Sequence, residues 1–102
     1  MYENGKIYMG LADGARVELA LNMCNRHGLI AGASGTGKTI TMKVMAESFS
    51  DAGVLVFLCD VKGDVAGICA PGVSSEGMEK RIDRFGLRGS FAYKGYPATF
   101  WD

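Results

Sequence analysis

The spacing of apolar residues along the chain changes from segment to segment, and each change marks an element. Val17-Glu18-Leu19-Ala20-Leu21 alternates, which predicts a half-buried strand. Lys6-Ile7-Tyr8-Met9-Gly10 is a second short strand candidate, and Asp13-Gly14 between the two is a turn pair. A small antiparallel ribbon is therefore expected as a β lead-in over residues 1–27. Leu29-Ile30-Ala31 is a brief apolar run and predicts a strand at 28–31. Ile40, Val44, Met45, Ala46 and Phe49 then recur at helical spacing, predicting a helix from Lys38 to Asp51 that stops at Ala52-Gly53. Val54-Leu55-Val56-Phe57-Leu58-Cys59 is apolar without a break, as strands buried on both faces of a parallel sheet are. Strand, helix, strand in that order implies a right-handed crossover.

Past Cys59 the pattern is more polar. Asp60-Val61-Lys62-Gly63-Asp64 is a connector, with Asp64 a candidate cap for a short helical turn over Val65 to Cys69. Ser74 or Ser75 caps a predicted helix whose apolar stripe is Met78, Ile82 and Phe85, closed by Gly86. Its other face carries Glu79, Lys80, Arg81, Asp83 and Arg84, mixed signs that describe a solvated face better than a nucleic-acid patch. Phe91, Tyr93, Tyr96, Phe100 and Trp101 crowd the end, and Pro97 to Trp101 is expected to be a strand. An end this apolar is expected to be covered by further protein, so the chain is expected to be the front part of a longer one.

Candidate chemistry concentrates in Gly32-Ala33-Ser34-Gly35-Thr36-Gly37-Lys38-Thr39. Glycine, four residues, then Gly-Lys-Thr is the phosphate-loop pattern. Glycines let the backbone approach an anion, and successive N–H groups make a nest for it. Lys38 reaches the outer phosphates, and the Thr39 hydroxyl can ligate a Mg²⁺ that bridges phosphate oxygens. The first turn of the helix adds its free N–H groups and its positive dipole end. The pattern stands between a predicted strand and a predicted helix, as it should. ATP and Mg²⁺ are the expected ligands. The fold class follows: α/β, part of a P-loop three-layer sandwich over 28–102 with a parallel-sheet core, preceded by the lead-in.

Asp60 ends the second predicted strand, where its carboxylate either helps hold Mg²⁺ with Thr39 or caps the turn that follows. His27, at a strand entrance, is read as structural rather than as a nucleotide contact.

The chain has 102 residues, with 11 basic and 11 acidic side chains and no net charge. That balance gives no electrostatic reason for free-standing nucleic-acid binding. No run approaches the length of a membrane span, and the first residues lack the layout of a signal peptide. Cys24, Cys59 and Cys69 have no metal-like spacing and are expected to be reduced thiols in a cytoplasmic protein.

Three stretches carry a resemblance: 25–39 around the loop, Val56 to Asp64, and Gly95-Tyr96-Pro97-Ala98-Thr99-Phe100-Trp101-Asp102. They resemble the amino-terminal part of bacterial HerA-like ATPases, relatives of the HerA and FtsK motor proteins. The resemblance implies a P-loop ATPase whose longer members act as hexameric, DNA-translocating or helicase-like motors. It implies that Gly32, Gly35, Gly37, Lys38 and Thr39 bind nucleotide, and it assigns no role to Asp60–Asp64. The acidic motif that activates water in that family has no counterpart after residue 64, and Arg81, Arg84 and Arg88 are not tied to a phosphate, so no catalytic residue is named.

Two other readings compete with an ATP-binding fragment of such a motor. One is a self-contained small kinase or GTPase-like enzyme with Asp60 as its Mg²⁺ carboxylate. The other is a non-catalytic module that binds a partner through its aromatic tail.

Overall fold

The structure is a computed structural model and describes residues 1–60 and 62–101. Val61 and Asp102, each part of a stretch that carries the resemblance, lie outside the described residues. The chain divides into two compact units, Met1–Val65 and Ala66–Asp102.

The first unit opens with three antiparallel strands in the order β1 (Tyr2–Glu3), β2 (Lys6–Ala12) and β3 (Ala15–Ala20). Asn4-Gly5 and Asp13-Gly14 make the two turns, with φ of 50° and 77° in the first and 50° and 79° in the second. Positive φ at both central residues is the turn geometry whose twist matches that of paired strands. The β2–β3 ribbon was expected from the alternating pattern. The β1 strand was not, although Asn-Gly is itself a strong hairpin signal. Pairing runs from Lys6 opposite Ala20 to Ala12 opposite Ala15, with a bulge between Tyr8 and Gly10.

Ile7 and Tyr8 are both buried. Neighbours on a strand face opposite sides of the pleat, and on Tyr8 the cover includes the Arg16 guanidinium, 4.0 Å from the ring centroid. Arg16 also pairs with Glu3 at 3.3 Å. The Met1 ammonium donates to the Tyr8 carbonyl at 3.1 Å, and burial pushes its pKa down.

Helix α1 (Lys38–Asp51) packs on β1 and β2 and buries Ala46 and Ser48. The Ser48 hydroxyl donates to the Val44 carbonyl one turn back, so burying it strands no polar group. The helix closes as the Ala52-Gly53 signal predicts. Gly53 N–H reaches Ser50 O at 3.0 Å, and Val54 N–H reaches Phe49 O at 2.9 Å.

The expected fold class is overturned. Among the described residues the only sheet is the antiparallel β1–β2–β3, and neither 28–31 nor 54–59 forms a strand. There is no parallel-sheet sandwich. Parallel strands need hydrogen-bonded neighbours and cover on both faces. Here Leu55 is 100% exposed, Leu29 89% and Phe57 77%. An apolar run records a tendency toward burial but does not supply the strand it must pair with. Residues 97–101 likewise form no strand, and Phe100 and Trp101 are exposed.

The second unit holds a 3-10 turn (Ala66–Cys69) and helix α2 (Glu76–Arg84), whose buried residue is Ile82. The Ser75 hydroxyl accepts from Met78 N–H at 3.2 Å, an N-cap as expected. Leu87 N–H to Ile82 O at 2.8 Å and Gly86 N–H to Asp83 O at 3.2 Å close the helix. Tyr96 N–H reaches back to Ile68 O, in the 3-10 turn, at 2.8 Å.

Candidate functional site

The loop of 32–37 runs into α1, and its glycines are set by local geometry. A Cβ on Gly32 would lie 2.5 Å from the Thr36 hydroxyl oxygen, so a side chain there must displace that hydroxyl. Gly35 and Gly37 have φ of 79° and 94°, in the left-handed region that glycine enters without strain. Thr36 closes the turn on itself: its N–H reaches Ala33 O at 3.3 Å and its hydroxyl donates to the same carbonyl at 2.6 Å. Ser34 and Gly35 are the turn's central residues. The Lys38 ammonium folds back across the loop, donating to Gly32 O at 2.5 Å and Ala33 O at 3.0 Å.

The start of α1 is electrostatically bare. Its N-cap is Gly37, no side chain caps it, and its first turn holds no acidic residue. The first N–H groups of a helix have no partner within the helix. In contrast, α2 has the Ser75 cap with Glu76 and Glu79 in its first turn. So α1 presents uncapped donors and a positive dipole end beside a basic side chain, a combination that favours an anion.

Thr39 lines a cleft of about 280 Å³ together with Met42, Cys59, Asp60, Lys62 and Asp64. The two residues expected from the sequence to share a cation are thus on one cleft. The Asp60 carboxylate is already engaged. Oδ1 accepts from Asp64 N–H at 3.0 Å and Oδ2 from Val65 N–H at 3.1 Å, so it caps the turn. Each oxygen keeps a further lone pair. Among the described residues no group of three or more His, Cys, Asp or Glu side chains gathers around a metal position. A Mg²⁺ here would take its remaining ligands from phosphate oxygens and water, as this ion commonly does.

Reasoning from sequence missed Lys62 and Cys59 as cleft residues. The only signal was that Lys62 falls inside the Asp60–Asp64 segment. His27 is exposed. Arg88 is tied down by Glu79 and Asp83 at 2.7 and 2.9 Å. A larger depression of about 560 Å³, lined by Gly5, Lys6, Ala20, Leu21 and Asn22, brings together one ammonium and one amide. No helix among the described residues is long and apolar enough to cross a membrane.

A family model described as "Helicase HerA-like C-terminal" matches residues 7–102. This corrects the amino-terminal placement. The region matched is described as C-terminal. No curated protein and no solved structure matches the chain.

Proposed function

The chain belongs to the HerA-like helicase family, and we propose that it binds the phosphates of ATP through Gly32 to Thr39, with Mg²⁺ at the Thr39 hydroxyl. The observation that carries this reading is the glycine-shaped loop leading into an uncapped helix start, with the Lys38 ammonium held at 2.5 Å from the first loop carbonyl. In the bound state Lys38 exchanges loop carbonyls for phosphate oxygens. The loop and first-turn N–H groups take the remaining charge. Mg²⁺ would neutralise charge between neighbouring phosphates. Asp60, with both oxygens accepting N–H bonds, would act on the ion through its water shell.

This reading is one of binding, and no residue is assigned to the activation of water. Work on DNA, assembly into a homo-oligomer such as a hexamer, and a cytoplasmic setting belong to the proposal through the family alone.

The test is thermal unfolding of the 102-residue chain with Mg·ATP and Mg·ADP, beside Lys38→Ala. A ligand that binds the folded state alone stabilises it by about 2.7 kcal/mol at a hundredfold excess over Kd. For a domain of this size that is a rise of roughly ten degrees or more. The rise is expected in the natural chain and not in Lys38→Ala. A folded chain whose unfolding ignores both nucleotides would overturn the reading.

A further inference from the structure

We propose that Lys62 is a second phosphate-binding cation of this site, one that selects the triphosphate over the diphosphate. The inference rests on the nucleotide reading above and gives the Asp60–Asp64 segment a role within it.

Lys62 and Thr39 line the same cleft, although Thr39 is in the first turn of helix α1 and Lys62 lies beyond its end in the sequence. With Mg²⁺ held at the Thr39 hydroxyl, the outer phosphates would lie on the cleft side of the loop. The terminal one carries charge that a diphosphate lacks at this place. Lys38, the loop's own cation, starts from two carbonyl partners, Gly32 and Ala33. Lys62 has no hydrogen bond or ion pair among the described residues, and its side chain is exposed. It therefore gives up no partner among the described residues when it engages an anion.

Asp60 bonds to the backbone that follows Lys62. Its carboxylate accepts from Asp64 N–H at 3.0 Å and Val65 N–H at 3.1 Å, just past Lys62 and Gly63. Gly63 takes φ 79°, and Val65 is buried. Acidic residues stand two positions to either side of Lys62, yet neither pairs with it. The Asp60 charge is met by backbone N–H groups instead, which leaves the ammonium to the cleft.

The experiment is calorimetric titration of the 102-residue chain with Mg·ATP and Mg·ADP, using the natural sequence, Lys62→Gln, Lys62→Arg and Lys38→Ala. Circular dichroism checks that each variant is folded. A charge-assisted hydrogen bond is strong enough that Lys62→Gln should weaken Mg·ATP about tenfold, with Mg·ADP changed by less than about threefold. Lys62→Arg keeps the charge and should keep most of the preference for ATP. An unchanged ratio of ATP to ADP affinity in Lys62→Gln, with Lys38→Ala still abolishing both, overturns the role of Lys62 alone. If the natural chain binds neither nucleotide, the nucleotide reading fails and the role of Lys62 fails with it.

Discussion

Gly32 stands so close to Thr36 that a methyl group on it would meet the threonine hydroxyl oxygen at 2.5 Å. The same hydroxyl donates to Ala33 O at 2.6 Å and holds the turn. This contact is one reason the loop has its shape, and it lies on the link between sequence and site rather than between sequence and core. Gly32 is exposed, and its surroundings are the loop itself.

Gly32→Ala should therefore damage binding more than stability. The new methyl must push Thr36 off its carbonyl, which opens the turn that Lys38 spans. Mg·ATP affinity is expected to fall by about tenfold, while an exposed site of this kind changes global stability by about 1 kcal/mol or less. Adding Thr36→Ala removes the clashing oxygen and leaves the Thr36 Cβ, 3.4 Å from the added methyl, as the nearest atom. The double variant should recover part of the affinity. Titration with Mg·ATP checks both, and a single variant that binds normally would show that loop shape is not what the ligand reads.

Thr39 tests the metal separately from the phosphates. Its hydroxyl is the side-chain donor to Mg²⁺ in the proposed site, and its backbone N–H belongs to the bare first turn of α1. Thr39→Ala removes the first and keeps the second. Affinity for ATP with Mg²⁺ should fall by about tenfold or more, and affinity in EDTA should change little. Equal losses in the two conditions would mean that the hydroxyl does not ligate the ion.

Local chemistry was legible in the sequence, and pairing was not. Lys38 to Asp51 and the Ser75 cap were found because helix boundaries are written by neighbouring residues. The tight turn at 32–37 is local in the same way: Gly32 answers to Thr36 and Lys38, and Gly35 and Gly37 take positive φ. The strands expected at 28–31 and 54–59 failed because a strand needs a partner, and apolar character does not name one. Lys62 and Thr39 meet on one cleft across the whole of α1, a juxtaposition no local pattern announces. The Arg88 clamp was hidden likewise: Arg88 lies past the end of α2, nine residues after Glu79, and the Gly86 reversal brings the two together.

That clamp supports a prediction about acid. Glu79 accepts from Arg88 at 2.7 Å, from Tyr93 OH at 3.0 Å and from Ser74 at 3.2 Å. The Arg88 bond, then the Tyr93 bond, hold its carboxyl below the ordinary glutamate range. Asp83, bonded to Arg88 at 2.9 Å, is also lowered. A lowered carboxylate pKa means that the folded state binds fewer protons than the unfolded one. The stabilisation is complete above the unfolded values, near pH 4, and is lost as pH falls through the folded values below them. Glu79→Gln cannot be protonated away in this range and loses its ion pair at every pH. Urea unfolding should therefore find Glu79→Gln less stable than the natural chain at pH 6, with the gap narrowing at pH 3. Solvent reaches all of these side chains, so salt should narrow the gap as well. A gap of the same size at both pH values would show that the carboxylate charge contributes nothing to the second unit.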